Sequence, residues 1–233
     1  MSILPAELHL SAPPQDPTAL VVFGGGGHGK TLIDLIRALG SYRLVGIVDD
    51  GQPAGSLIMG LPVLGGAAVL PDLAASGVRL AVNAVGGIGN VAVRLQVFER
   101  LHAAGFTCPN LVHPTAWVEP SAVLEGGVQV LAQSYVSSET RIGYGSVLNA
   151  GVVVSHDCRI GRCVNLSPGA LLAGDVAIED FAQVGMGVTI NLHVVIGAGA
   201  RIGNGATVKA DVPAGSIVRA GAVHPPRLDR PAV

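Results

Sequence analysis

The sequence predicts a small α/β domain followed by a three-sided parallel β-helix, and two observations carry this prediction. The first is that every sixth residue from Val118 to Val208 is Leu, Ile or Val. A period of six fits one flat side of a triangular coil, so three hexads close a coil with the apolar residues inside. Four positions after each of these residues the side chain is small or β-branched, as at Ser146 and Cys158. We expect these positions to face inward at the corners, where a dense core leaves little space.

Residues 19–110 supply the second observation, because strand and helix patterns alternate there. Short apolar runs bounded by turn residues indicate strands, and apolar residues spaced by three and four indicate helices. The predicted strands cover residues 19–23, 44–48 and 78–85, and the predicted helices cover residues 28–39 and 90–104. This alternation is typical of a parallel sheet covered by helices, here about half of a doubly wound fold.

The two ends of the chain complete the predicted domain organisation. Residues 1–18 are rich in proline and have neither a basic start nor a sustained apolar core. They are therefore expected to form a flexible lead rather than a secretory signal. The β-helix is expected over residues 111–218, and residues 219–233 are expected to form a tail.

Composition narrows the classes of partner. The net charge is −2 and the Lys and Arg residues form no cluster, so neither nucleic acid nor a membrane surface is an expected partner. No run of eighteen apolar residues occurs, although a membrane-spanning helix requires one. The three cysteines, Cys108, Cys158 and Cys163, have no paired spacing, which indicates a reducing, cytoplasmic setting.

The turn after the first strand, Gly24 to Thr31, fits two phosphate-binding patterns, G-x-x-x-x-G-K-[ST] and G-x-G-x-x-G. Consecutive glycines make both matches easy, and the domain is too small for an ATPase sheet or a complete dinucleotide fold. The feature common to both patterns is a set of exposed N–H groups at a helix start, which bind phosphate. We therefore expect a mononucleotide-type site, with Asp49 and Asp50 at the end of the second strand as acceptors for hydroxyl groups.

The glycine-rich turn followed by hexads that contain Ser155-His156-Asp157-Cys158 resembles the sialic acid O-acetyltransferase (NeuD/PglD-like) family of hexapeptide-repeat acyltransferases. The stretches VVSHDCRIG at 153–161 and LSPGALLAG at 166–174 carry the resemblance, which spans roughly residues 20–218. The resemblance implies a Rossmann-like N-terminal domain, a left-handed parallel β-helix and a homotrimer. It also implies acetyl-CoA as co-substrate, no metal, and a nucleotide-linked amino sugar as substrate.

The resemblance further implies roles for particular residues. His156 would be the general base, and Asp157 would be the acid that assists it. The nucleotide-sugar site would be lined by Gly26, Gly27, His28, Asp49, Asp50 and Gly86. Contacts to coenzyme A would come from Asn165, Gly185, Met186, Gly203, Asn204 and Gly205. The Gly-x-Pro-Ala motif with which the family usually ends its β-helix is altered here to Gly221-Ala222-Val223-His224.

Acetyl transfer from a thioester to an amine needs a base, a close approach of the two reacting groups, and stabilisation of the tetrahedral oxyanion. His156 falls at an outward or corner position of its hexad, and histidine is suited to proton removal near neutrality. Gly174 follows eighteen residues later, so its N–H is expected beside the base as an oxyanion donor. Coenzyme A already carries an activated acyl group, which favours direct transfer over an acyl-enzyme.

The main prediction is an acetyl-CoA-dependent N-acetyltransferase for the amino group of a nucleotide-linked 4-amino sugar, and three alternatives stay open. One is O-acetylation of a sugar such as sialic acid. Another is a zinc hydratase that uses His156 and His193, although no further histidine precedes His224. The last is a non-catalytic nucleotide-binding scaffold. The sequence identifies neither the nucleotide base nor the sugar nor the length of the acyl group.

Overall fold

A computed structural model describes residues 16–86, 88–89 and 91–226. Most of the predicted lead and the end of the predicted tail therefore lie outside the described residues. The N-terminal domain consists of β1 (Ala19–Phe23), α1 (Gly27–Leu39), β2 (Arg43–Val48), β3 (Leu57–Ile58), β4 (Leu61–Gly65), a 3-10 turn (Ala67–Val69), α2 (Leu70–Ala75), β5 (Leu80–Asn83) and α3 (Val91–Ala103). Its sheet has the order β3-β4-β2-β1-β5, in which only the β3–β4 pair is antiparallel.

The three strands and two helices predicted for this domain are confirmed, with small differences at their ends. Strand β5 is shorter than the predicted span of residues 78–85. Helix α1 buries the apolar side chains of Leu32, Leu35 and Ile36 against the sheet. The helix ends at Leu39, and the following Gly40 adopts a φ of 65° and donates its N–H to the carbonyl of Ile36, as a left-handed C-terminal cap does. The β3–β4 hairpin and α2 were not predicted.

The second domain is a three-sided parallel β-helix built from strands of two residues each. Face 1 contains β6 (Leu111–Val112), β9 (Gln129–Val130), β12 (Val147–Leu148), β15 (Asn165–Leu166), β18 (Gln183–Val184), β21 (Arg201–Ile202) and β23 (Ile217–Val218). Face 2 contains β7 (Trp117–Val118), β10 (Tyr135–Val136), β13 (Val153–Val154), β16 (Leu171–Leu172), β19 (Thr189–Ile190), β22 (Thr207–Val208) and β24 (Val223–His224). Face 3 contains β8 (Val123–Leu124), β11 (Arg141–Ile142), β14 (Arg159–Ile160), β17 (Ala177–Ile178) and β20 (Val195–Ile196).

The predicted spacing of eighteen residues between lateral neighbours is confirmed over most of the β-helix. Val154, for example, pairs with Leu172 on the next coil. The hexad residues from Val130 onward are buried, and they form one continuous core with the small residues at the corners. The pattern changes in the last coil, where Thr207 pairs with Val223 across only sixteen residues. Because β24 belongs to face 2, the β-helix extends past residue 218, where the sequence predicted its end.

A buried arginine links the two domains. The guanidinium of Arg94 on α3 donates to the carbonyl of Gly145 in the β-helix and to the carbonyls of Asn83 and Val85 at the end of β5. Its side chain is 1% exposed, and desolvation lowers its pKa to about 10. The carbonyl groups satisfy the buried charge without a carboxylate, so Arg94 fixes the α/β sheet relative to the β-helix.

None of the helices in the described part of the chain has the length and apolar character needed to span a bilayer.

Candidate active site

The corner between faces 2 and 3 carries the predicted base. His156 and Asp157 follow strand β13, and Asp157 adopts a positive φ of 60° that turns the chain. The Nδ1 atom of His156 lies 2.7 Å from Oδ2 of Asp157. The carboxylate can only accept in this contact when ionised, so Nδ1 carries the hydrogen and Nε2 is left to take a proton. Both side chains are largely exposed.

Gly174 lies on the next coil, directly against the imidazole ring of His156. A Cβ at residue 174 would stand 2.5 Å from Cε1 and 2.7 Å from Nε2 of that ring. Within the described residues the N–H of Gly174 meets no acceptor, whereas the N–H of Asp175 donates to the carbonyl of His156. The predicted neighbours are thus brought together, and an unpaired N–H is left beside the base.

Cys158 holds the peptide that carries this N–H. Its side chain is buried, and its thiol donates to the carbonyl of Ala173 at 3.3 Å. That carbonyl belongs to the same peptide unit as the N–H of Gly174. Burial raises the pKa of the Cys158 thiol, which disfavours the thiolate that a nucleophilic role requires.

The glycine-rich turn is shaped by close packing at some positions and open at others. A Cβ at Gly29 would collide with the carbonyl oxygen of Gly24, so glycine is required there. At Gly26 and Gly27 a Cβ would meet nothing within 4 Å. These two residues begin α1 without a side-chain cap, so the first N–H groups of the helix are open to a ligand.

The two aspartates after β2 lie in a cavity of about 310 Å³ at the end of the sheet. Asp49 accepts the N–H groups of Gly25 and Gly51, at 2.7 and 2.8 Å. Asp50 accepts the N–H of Ala67 at 2.7 Å, and its other oxygen lies 3.3 Å from Arg100. The carboxylate of Asp49 therefore holds the turn, and that of Asp50 is the more exposed acceptor. Arg100 could not be predicted as part of this site, because in the sequence it resembles any other charged residue on a helix surface.

His28 and Gly86 lie in a second cavity of about 280 Å³, between the domains, which Asn149 and Asn165 also line. The Nε2 atom of His28 lies 2.8 Å from Oε1 of Gln129. Gln129 uses its amide group to donate to the carbonyl of Asn83 at 2.8 Å, so His28 donates from Nε2 and keeps Nδ1 as an acceptor. Burial lowers the pKa of His28, which favours this neutral imidazole.

The residues that the resemblance assigns to coenzyme A lie on face 1 and at its corner with face 2. Asn165, Gly185, Gly203 and Asn204 line a groove of about 250 Å³. Next to the groove, the N–H of Met186 donates to Oδ1 of Asn204 at 2.9 Å, and the N–H of Gly205 donates to the carbonyl of Met186 at 2.8 Å. Ile88 and Gln183 also line the groove, and Gln183 exchanges two hydrogen bonds with the backbone of Gly89.

Within one chain the base and this groove are separated by the width of face 2. His156 and Gly174 lie at the corner between faces 2 and 3, and Asn204 and Met186 lie at the corner between faces 1 and 2. A single chain therefore does not bring all predicted site residues together. His193, the second histidine of the zinc alternative, is hydrogen-bonded to Asp175 at 2.9 Å. No group of three metal-binding side chains converges within the described residues.

Comparison with known proteins identifies the family. Residues 19–101 match the family model described as the PglD N-terminal domain. PerB from Caulobacter crescentus, solved in complex with CoA and GDP-perosamine, is 34% identical, with a TM-score of 0.82 over 88% of this chain and 95% of that chain. The chain belongs to the PglD-like family of amino-sugar acetyltransferases. The predicted fold class, a Rossmann-like domain followed by a left-handed parallel β-helix, is confirmed for this PglD-like protein.

Two further relatives agree with this assignment. The acetyltransferase domain of PglB from Neisseria gonorrhoeae, in complex with acetyl coenzyme A, is 35% identical, with a TM-score of 0.79 over 88% of this chain and 97% of that chain. UDP-N-acetylbacillosamine N-acetyltransferase of Bacillus subtilis is 32% identical over 119 residues, which are 48% of this chain and 51% of that protein. The match thus spans about half the length of that curated relative.

Proposed function

We propose that this PglD-like protein transfers the acetyl group of acetyl-CoA to the amino group of a nucleotide-linked amino sugar. The observation that carries the proposal is the exposed His156–Asp157 pair placed against the unpaired N–H of Gly174. The comparisons support the two substrates, because PerB was solved with CoA and GDP-perosamine and the Bacillus subtilis relative is named for a UDP-linked amino sugar.

The residues of this corner suffice for direct transfer. His156 removes a proton from the amine through Nε2, while Asp157 holds the Nδ1–H and stabilises the imidazolium that forms. The N–H of Gly174 stabilises the oxyanion, and the Cys158 hydrogen bond to the same peptide unit strengthens that donor. The buried Cys158 thiol is not a nucleophile in this scheme.

The assembly proposed for the active enzyme is a homotrimer with the site between subunits. The separation of His156 from the Asn204 groove within one chain supports this arrangement, since a neighbouring subunit can bring the two together. Face 2 also exposes apolar residues: Trp117, Leu171 and Val223 are 63%, 44% and 37% exposed. An exposed apolar face of this kind favours contact with another subunit. The unpaired state of the cysteines in the described residues favours a cytoplasmic location.

Thiol release from acetyl-CoA tests the function across UDP-, GDP- and dTDP-linked 4-amino sugars, with sialic acid included as an acceptor for O-acetylation. We expect release with at least one amino sugar, and a product heavier by one acetyl group that resists mild base, as an amide does. Release with sialic acid alone and a base-labile product would instead establish the O-acetyltransferase alternative. Nucleotide binding without thiol release from any acceptor would support the non-catalytic scaffold.

A further inference from the structure

A second histidine–aspartate pair lies at the corner that carries His156. The Nδ1 atom of His193 lies 2.9 Å from Oδ2 of Asp175. Both residues adopt positive φ angles, 61° and 54°, as Asp157 does at 60°. These three residues therefore occupy equivalent positions on successive coils. The scheme for acetyl transfer given above makes no use of His193, whose side chain is 73% exposed.

The order of the coils gives His193 a defined place relative to the reaction. Face 2 pairs Val153 with Leu171 and Leu171 with Thr189. His156 consequently lies on one coil, Gly174 on the next, and His193 on the third. In the acetyl transfer proposed above, the attacking nitrogen approaches the carbonyl carbon from the side of His156 while the oxygen contacts Gly174. In a tetrahedral intermediate the sulfur points away from the attacking nitrogen, which directs it toward the third coil.

The groove assigned to coenzyme A agrees with this direction. Gly185 and Met186 lie on the same coil as His193, and Asn204 lies on the coil after it. A pantetheine arm that reaches the carbonyl from these later coils brings its sulfur to the third coil first. His193 is then a titratable side chain close to the departing sulfur. Asp175 holds its Nδ1, and its Nε2 meets no hydrogen-bond partner among the residues that the structure describes.

We propose that His193 is a second catalytic residue, which donates a proton from Nε2 to the departing thiolate of coenzyme A. This inference rests on the proposed function. The C–N bond forms as the amine gives one proton to His156, and the C–S bond breaks with its electron pair on sulfur. His193 gives one proton to that sulfur, so the products are the amide and the free thiol. Solvent restores both histidines.

Charged groups occupy the same column of the corner as His193, and one of them holds its ring in place. Asp175 accepts its Nδ1–H, and Asp157 lies two coils away in the same column. On the following coil, Asp211 accepts the N–H of Val195 through Oδ1. Asp175 is therefore a positioning residue for His193, as Asp157 is for His156.

A change of leaving group tests the proposal. A thiol such as cysteine has a pKa of about 8.5, whereas a selenol is far more acidic and departs as its anion without a proton. We therefore compare single-turnover rates with acetyl-CoA and with acetyl-seleno-CoA. The variant His193→Gln should transfer the acetyl group of acetyl-CoA about 100-fold more slowly than the wild type, the lower end of the contribution of a general acid. Its rate with the selenium analogue should fall far less.

Other variants separate the possible outcomes. Asp175→Asn should show the same selective loss of rate to a smaller degree. His156→Ala should lower the rate equally with both donors. His102→Gln, at an exposed position, should lower the rate with neither donor. An equal loss by His193→Gln with both donors, or no loss with acetyl-CoA, would overturn the proposal. If the wild-type protein transferred no acetyl group from acetyl-CoA, the proposed function itself would fail, and that result is distinct from either outcome.

Discussion

The imidazole of His156 lies so close to Gly174 that any side chain at residue 174 would collide with it. The Cβ position of Gly174 is 2.5 Å from Cε1 of the ring, which is shorter than any ordinary contact. The absence of a side chain at this position therefore lets the base and the unpaired N–H share one corner. The contact also ties the orientation of the base to a residue on the neighbouring coil.

The first prediction follows from this contact. Gly174→Ala should displace the ring of His156 and lower kcat by at least about 100-fold, the lower end of the effect of removing a general base. Its thermal stability should change little, because the ring that the new side chain displaces is largely exposed. Gly126→Ala is a matched control, since Gly126 has the same position in its hexad and a Cβ there would lie at ordinary contact distances, the nearest being 3.4 Å to Tyr144. If Gly174→Ala kept the kcat of the wild type, the close approach of residue 174 to the His156 ring would have no role in catalysis.

The second prediction tests a site shared between subunits. His156→Ala and Asn204→Ala should each be nearly inactive, because one loses the base and the other the groove contact to Met186. In trimers that contain both variants at random, roughly a quarter of the intersubunit sites would combine an intact base with an intact groove. Co-expressed variants should therefore regain activity in a thiol-release assay. If each site were built within one chain, the co-expressed variants would regain no activity. Light scattering on the wild-type protein should find trimers rather than monomers.

The third prediction concerns the nucleotide end of the substrate. Asp50→Ala should raise the KM for the sugar nucleotide about tenfold or more, which corresponds to the loss of one hydrogen bond to a charged group. The KM for acetyl-CoA should remain nearly unchanged. Asp34→Ala is the matched control, because Asp34 is exposed and forms a surface ion pair with Arg37 at 3.7 Å. Equal changes in both KM values would place Asp50 outside the nucleotide site.

Several of these residues could be predicted from the sequence, and others could not. The hexad period fixed the eighteen-residue spacing that brings His156 to Gly174, because the same packing constraint recurs on every coil. Arg94 gave no such signal, since a buried arginine held by carbonyl groups is indistinguishable in the sequence from a solvated one. The β3–β4 hairpin was missed although Met59 and Gly60, with φ angles of 50° and 77°, form the two-residue turn that such hairpins favour. The shortened last coil follows a break in the hexads after Val208.

The fourth prediction is a pH dependence that originates at His28. Burial lowers the pKa of His28 below its ordinary value of 6.5, so the unfolded chain binds a proton more readily than the folded protein. The stability linked to His28 is therefore complete above about pH 6.5 and falls as the pH decreases toward the folded-state pKa. His28→Gln cannot titrate, so its free energy of unfolding should fall less between about pH 7.5 and pH 5.

Urea titrations at the two pH values measure this difference. His102→Gln serves as the control, because His102 is exposed on α3 and should leave the pH dependence as it is in the wild type. If the wild-type protein and the His28→Gln variant lost equal stability on acidification, His28 would have the same pKa in the folded and unfolded states.

The fifth prediction separates a structural thiol from a nucleophilic one. At the corner positions equivalent to Cys158, the hydroxyl groups of Ser134, Thr140 and Ser146 each donate to the carbonyl fifteen residues later, as the thiol of Cys158 does. A hydroxyl at residue 158 therefore has a ready acceptor in Ala173. Cys158→Ser should keep kcat within about threefold of the wild type and cost less than about 1 kcal/mol of stability, because the buried hydrogen bond is retained.

Cys158→Val sharpens this test, because valine fills the inward position without a donor. The carbonyl of Ala173 would lose its partner, and the peptide that presents the N–H of Gly174 would be held less firmly. We expect kcat to fall more in Cys158→Val than in Cys158→Ser, with little change in either KM, since the oxyanion donor acts mainly in the transition state. A covalent acyl-enzyme predicts a different result. It would lose activity in both variants, and the wild-type enzyme would show a burst of free coenzyme A before the acceptor is consumed.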